Sequence, residues 1–176
     1  ITVVHKANVF RVSDGLFLEA VRAVREDFPD FEYEEQIVDA MAALLIRDPG
    51  QFDVIVTTNM YGDILSDEAS EIAGSLGMAA SLNAGEHFAM AQAQHGSAPS
   101  LAGQDIANPS SLIGSAAMLL RWIAKRHDAP HFCLAAKAIE SAISTAVANP
   151  RTRTRDLGGE LGTNDYTDKL LEIVNK

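Results

Sequence analysis

The sequence predicts an α/β fold from three observations: a β-branched opening run, an amphipathic helical pattern after it, and a second strand-then-helix succession ending near Gly77. Ile1-Thr-Val-Val4 is nearly all apolar, as in a strand buried on both faces. Ser13-Asp14 reads as an N-cap ahead of Leu16, Phe17, Ala20, Val21 and Val24, whose spacing makes one apolar helix stripe, and Pro29 closes that helix. Phe31 to Val38 alternates in part like a strand, and Asp39 to Leu45 is an Ala, Met and Leu helix running into the turn Asp48-Pro49-Gly50. Asp53-Val-Ile-Val-Thr57 is a second buried strand, and Asp63 to Leu76 is a helix stopped by Gly77. Met78 to Ser110 is irregular, rich in Ala, Gly, Ser, Gln and Pro. It feeds a long helix from about Pro109 to Lys125. Phe132 to Ala148 is again helical, Asp156-Leu-Gly-Gly159 is a turn, and Thr163 to Val174 is a last helix. There is no internal repeat, low-complexity tract or linker.

Composition narrows the function classes. The 176 residues are 47% hydrophobic and 22% charged, with 12 Gly and 6 Pro, which suits a globular core and excludes disorder, collagen and disulfide scaffolds. Cys133 is the single cysteine and the chain carries no leader pattern, so a reducing, cytoplasmic compartment is expected; a mitochondrial matrix setting is also compatible. Apolar runs such as Leu112 to Leu120 fall short of the roughly 20 residues that cross a bilayer, so no membrane is expected. With Lys+Arg 14 against Asp+Glu 24, the net charge of −10 repels polyanions, so no nucleic-acid partner is expected. The basic clusters Arg151-Thr-Arg153-Thr-Arg155 and Arg121 to Arg126 read as a solvated loop and a helix face.

The sharpest chemical feature is Asn59-Met-Tyr-Gly-Asp63-Ile-Leu-Ser-Asp67. A glycine at a strand exit, then aspartates four apart, puts two carboxylates on one helix face. Their repulsion becomes useful if a hard divalent ion such as Mg²⁺ or Mn²⁺ takes them as oxygen ligands. The same spacing also fits a helix cap at Asp63 and a solvated Asp67. Asp39, at a strand end, either joins them or caps its own helix. Lys6 follows the first strand, where α/β sheets carry functional groups, and reads as a general base beside a metal or as a surface lysine. His95-Gly-Ser-Ala-Pro99 with Ala102-Gly103 and Ile106-Ala-Asn108-Pro109 is a small-residue loop that suits a nucleotide phosphate or adenine, or packs over the core. Pro130 breaks any helix joining His127 to His131. These two, with His5, His87 and Cys133, read as structural or exposed. The aliphatic stripe from Leu112 through Met118 to Trp122 reads as core or interface.

Together the strings His5-Lys6-Ala7-Asn8-Val9, Val38-Asp39-Ala40-Met41, Asn59 to Ser70, Gly74-Ser-Leu-Gly77, His95 to Pro99, Ala107-Asn-Pro109, Asp156 to Gly159 and Gly162-Thr163 resemble the isocitrate and isopropylmalate dehydrogenase family. These are metal-dependent β-decarboxylating dehydrogenases, and the family includes tartrate, D-malate and homoisocitrate enzymes. The resemblance covers nearly the whole chain. It implies an isopropylmalate-dehydrogenase-like fold with mixed sheets flanked by helices, incomplete because the N-terminal half of the family pattern is absent. Residues 1–73 would belong to the smaller, dimer-forming domain and 74–176 to the larger cofactor domain.

The resemblance also implies roles. Asp39, Asp63 and Asp67 match acids that bind Mg²⁺ or Mn²⁺, with Asp39 and Lys6 offered across the interface of a homodimer. Lys6 and Asp39 match catalytic positions. Asn8, His95, Gly96, Ser97, Ala98 and Asn108 match the cofactor side, together with the two positions after the His-Gly-x-Ala-Pro run. These carry Ser100 and Leu101 in place of the family's acid or its Lys-Tyr. Ser100 cannot pair ionically with a 2′-phosphate, so NAD is expected over NADP. The implied reaction is oxidative decarboxylation of a 2-hydroxy di- or tricarboxylate such as 3-isopropylmalate, isocitrate, tartrate or malate. The alternative is a non-catalytic regulatory subunit, or a fragment, of such an enzyme. The substrate-clamping arginines would lie in the absent half, so this chain alone is expected to be inactive.

Overall fold

A computed structural model describes residues 1–175. The chain divides into two compact units, Ile1–Ile72 and Ala73–Lys176.

The first unit is a three-stranded parallel sheet with helices between its strands. β1 (Thr2–His5) lies in the middle, flanked by β2 (Glu34–Ile37) and β3 (Ile55–Thr57). Register is fixed by Thr2 facing both Glu34 and Ile55, and by His5 facing Ile37. Central placement explains the near-continuous apolar run, since Val3 and Val4 are fully buried. α2 (Val38–Arg47) and α3 (Asn59–Ala73) bury Met41, Leu45, Tyr61 and Leu65 against Val4, with Phe52 and Ile55 at the margin. Each buried aliphatic contributes about 1.5–3 kcal/mol.

Three local expectations fail here. α1 spans Ser13–Glu26, but Ser13 and Asp14 are its first residues, preceded by Val12, and no side chain caps it. Its inward face is Asp14 and Leu18, whereas Leu16 and Val24 are 66% and 58% exposed. The apolar spacing identified the helix but not the side that packs. α3 begins at Asn59, four residues before Asp63, so Gly62 lies inside the helix and Asp63 caps nothing; it ends at Ala73, and Leu76–Met78 forms a separate 3-10 turn. β2 is also shorter than the Phe31 to Val38 run.

In the second unit the stretch expected to be irregular holds an antiparallel hairpin, β4 (Ala80–Ala84) and β5 (Ala89–Ala93), whose turn closes with Gly85 N–H donating to Phe88 O at 2.8 Å. Alanine, asparagine and glutamine have low strand propensity and hid it. Small residues are required because α4 (Ser110–Arg126) lies close on the ribbon. Ser115 Oγ accepts from Ser81 N–H at 2.9 Å and donates to Gln92 O at 2.7 Å, while Ser111 Oγ accepts from Gln94 N–H at 3.2 Å. The buried face of α4 is therefore serine and alanine, and Leu112 and Met118 of the expected stripe are exposed.

α5 (Pro130–Ala148) starts with Pro130 at its first turn, which puts His127 and His131 in different elements. Arg121 of α4 forks onto Glu140 of α5, so that basic cluster is paired rather than wholly solvated. α6 (Thr163–Val174) closes a core of Ala142, Ala146, Tyr166 and Leu170. Between them Arg155–Leu157 forms the expected turn, ending in Gly158 at φ 74°. No described helix is long and apolar enough to cross a membrane.

Candidate functional site

In the first unit the in-register parallel pairing of β1 and β2 brings their carboxyl ends side by side. Lys6 leaves β1 and Asp39 opens α2 immediately beyond β2, and the Lys6 amine donates to Asp39 Oδ1. The lysine side chain is 22% exposed and the aspartate 60%. That hydrogen bond, followed by the backbone N–H of Asp39 at the helix start, holds the Asp39 carboxyl below the usual carboxylate range. Beneath the pair, Asp14 of α1 accepts from Lys6 N–H at 2.7 Å.

Asp63 and Asp67 are exposed on α3, one turn apart, and offer hard oxygen donors of the kind Mg²⁺ and Mn²⁺ take. They are not brought together with Asp39. Among the described residues no three His, Cys, Asp or Glu side chains form a metal-holding group. Asn8 lies in the exposed turn after Lys6.

The second unit carries a cavity of about 860 Å³. That is within the range of small-molecule and cofactor pockets. His95, Gly96, Ser97, Ala98, Leu101 and Asn108 line it, and Ser100, in the 3-10 turn Pro99–Leu101, is not among the lining residues. Ala98 holds a left-handed φ of 39° and Asp105 one of 52°, strain typical of loops shaped around ligands. The loop is pinned onto α6: Asp105 Oδ1 accepts from Asn164 N–H at 2.9 Å, and Thr163 Oγ1 donates to Ala107 O at 2.6 Å.

The wall also contains residues that the sequence did not single out as ligands. Asp156 Oδ2 accepts from Ser75 Oγ at 2.6 Å and from Asn108 Nδ2 at 3.0 Å. Burial pushes the Asp156 carboxyl up, but hydrogen bonds, those from Ser75 and Asn108 among them, outweigh it and hold the group below its ordinary value. Gly77 is there for space, since a Cβ would come 2.9 Å from Asn108 Cβ and 3.1 Å from Asp156 Oδ2. The clue was the pairing of distant polar residues with glycines in Gly74-Ser-Leu-Gly77 and Asp156 to Gly159, which spacing alone does not connect. Among the described lining residues there is no Lys or Arg, while Asp105 and Asp156 supply two acids.

The chain resembles 3-isopropylmalate dehydrogenase of Saccharolobus solfataricus, with 46% identity over 99% of this chain and 51% of that protein. It is 40% identical to the mitochondrial NAD isocitrate dehydrogenase catalytic subunit 5 of Arabidopsis thaliana, over 98% of this chain and 44% of that one. The crystal structure of isocitrate dehydrogenase from Methylococcus capsulatus superposes with a TM-score of 0.91 at 40% identity, covering 99% of this chain and 50% of that one. The chain spans about half the length of the curated relatives it matches. A family model for isocitrate/isopropylmalate dehydrogenase matches residues 1–170. With that match over nearly its whole length, the chain belongs to the isocitrate/isopropylmalate dehydrogenase family.

Proposed function

We propose that this chain is the C-terminal part of an NAD-preferring, Mg²⁺- or Mn²⁺-dependent dehydrogenase that oxidatively decarboxylates a 2-hydroxy di- or tricarboxylate. The observation that carries the reading is the contact of the Lys6 amine with Asp39 at adjoining strand ends. An amine and a carboxylate held together there suit proton transfer from an alcohol. Asp63 and Asp67 would hold the ion, with Asp39 supplied by the second chain of a homodimer, in keeping with the separation of the acids within one chain. A divalent ion held there would supply polarisation of the substrate's hydroxyl and neighbouring carboxylate, and NAD would supply the hydride acceptor. The Lys6 amine, in its neutral form, would take the hydroxyl proton beside Asp39. The cavity of the second unit would hold the nucleotide. Its two acids and lack of a lining cation favour ribose hydroxyls over a 2′-phosphate.

The test is made on the full-length homo-oligomer, assayed with 3-isopropylmalate, isocitrate, tartrate and malate. Metal-dependent NAD reduction with one of these, lost in Asp63→Asn and in Lys6→Met, is the expected result. A wild-type homo-oligomer that binds nucleotide but turns over none of them would instead identify a regulatory subunit.

A further inference from the structure

Asp14 is a buried carboxylate that the proposed reaction does not use. It is 5% exposed, yet it lies at the start of α1, where an acid serves the helix dipole equally well from solvent. Burying an ionised group opposes folding unless it makes compensating contacts, so its inward direction has a local cause. Its Oδ2 accepts from Lys6 N–H at 2.7 Å, and its own N–H donates to Phe10 O at 3.1 Å. Lys6 O in turn accepts from Val9 N–H and Phe10 N–H, both at 2.8 Å. Both main-chain polar groups of Lys6 are thus fixed, one by the turn that follows it and the other by Asp14. Tyr61 of α3 is itself buried, and burial, followed by the charge of Asp14, raises its phenol above the ordinary value.

We propose that Asp14 is a positioning residue for Lys6: its buried carboxylate anchors the lysine main chain at the end of β1 so that the amine reaches the Asp39 side of the site. The inference rests on the reading of Lys6 as the proton-transfer group. Asp14 touches neither the proposed substrate nor the ion and acts through Lys6. Asparagine keeps the shape and an acceptor oxygen but gives up the charge, whereas leucine removes the acceptor. The two substitutions therefore grade the effect.

The experiment uses the full-length enzyme with saturating Mn²⁺ and NAD. Asp14→Leu is expected to lower kcat by about 100-fold, the scale of an ångström-level misplacement, with KM for NAD unchanged. Asp14→Asn is expected to lower it by about tenfold and to move the Lys6 amide proton upfield, because a neutral acceptor replaces a charged one. Leu45→Ala, a core truncation in α2 away from Lys6, controls for stability: it should lower the melting temperature and leave kcat near wild type. If Asp14→Leu does not fold, the Asp14→Asn rate and amide shift decide alone, and wild-type values of both overturn the proposal. Full turnover in Asp14→Leu beside an inactive Lys6→Met overturns the positioning role only. An active Lys6→Met overturns the lysine assignment and this inference with it.

Discussion

Ser75 Oγ donates to Asp156 Oδ2 at 2.6 Å, joining residues 81 apart at one wall of the cavity. The same hydroxyl accepts from Gly77 N–H at 3.1 Å, so a single serine ties the 3-10 turn Leu76–Met78 to the Asp156 carboxylate.

Ser75→Ala should therefore weaken AMP binding to this chain by about five- to tenfold, near the net worth of one ordinary hydrogen bond. Losing that donor also lets burial raise the Asp156 carboxyl. Since the wild-type value is depressed, its stabilising contribution is present above the unfolded value of 3.8 and fades as pH falls below it. Ser75→Ala should then lose stability at a higher pH than wild type on the acid side. Calorimetric titration with AMP and acid-limb urea midpoints would check both, and unchanged values in each would exclude the wall as described.

The elements that propensity and pattern express strongly were legible: the Ile1 to Val4 strand, the helices around Met41 and Leu45, and the Thr163 to Val174 helix, whose bounds the structure reproduces. The β4–β5 hairpin was not, because its alanines are chosen for the close approach of α4 and tertiary packing overrides strand propensity. The same holds at the sites. Lys6 and Asp39 stood out as strand-end residues, but their contact depends on the parallel register of β1 and β2, which no local spacing encodes. Asp14 looked like a cap and instead is buried, its carboxylate accepting from Lys6 N–H rather than from a helix amide.

Glu35 gives the clearest pH signature. Arg22 grips it through two hydrogen bonds of 2.7 and 2.6 Å, and Tyr33 O–H donates to it at 2.7 Å. The Arg22 bonds chiefly hold its carboxyl down to about 2, from 4.5. A depressed value means that the stabilisation is complete above the unfolded value and disappears as pH falls from about 4.5 through about 2. Because the guanidinium is 56% exposed and screened, the gain at neutral pH should stay under about 1 kcal/mol. The stability gap between wild type and Glu35→Gln, from urea melts at successive pH values, should close toward pH 2. A gap constant across that window would contradict the pairing.

Tyr166 and Ser110 share a 2.8 Å hydrogen bond, and both are essentially buried. Tyr166→Phe keeps the ring in the core with Ala142, Ala146 and Leu170 but leaves the Ser110 hydroxyl without its partner. The expected loss is about 1–2 kcal/mol of unfolding free energy. The double variant Tyr166→Phe with Ser110→Ala should recover part of it, since no polar group is then stranded. A double-mutant cycle by chemical denaturation measures the coupling, and simple additivity would show that the bond contributes nothing.

Gly77→Ala tests whether the cavity wall is held open by the absence of a side chain. The new methyl would meet Asn108 Cβ at 2.9 Å, closer than real Cβ atoms approach their neighbours. Asn108 cannot retreat freely, because its side chain accepts from Ser110 N–H at 2.9 Å and donates to Asp156 at 3.0 Å. Relief must come from shifting the carboxamide that joins α4 to the Asp156 wall, at a cost of about 1–3 kcal/mol for the overpacked site. Both the melting temperature of the chain and its affinity for AMP should fall. Gly50→Ala, where an added Cβ meets only Asp48 Oδ1 at 3.9 Å, should leave both almost unchanged. If the two variants behaved alike, the strain at Gly77 would have to be relieved by a movement that does not reach Asn108, and the wall would be softer than its hydrogen bonds require.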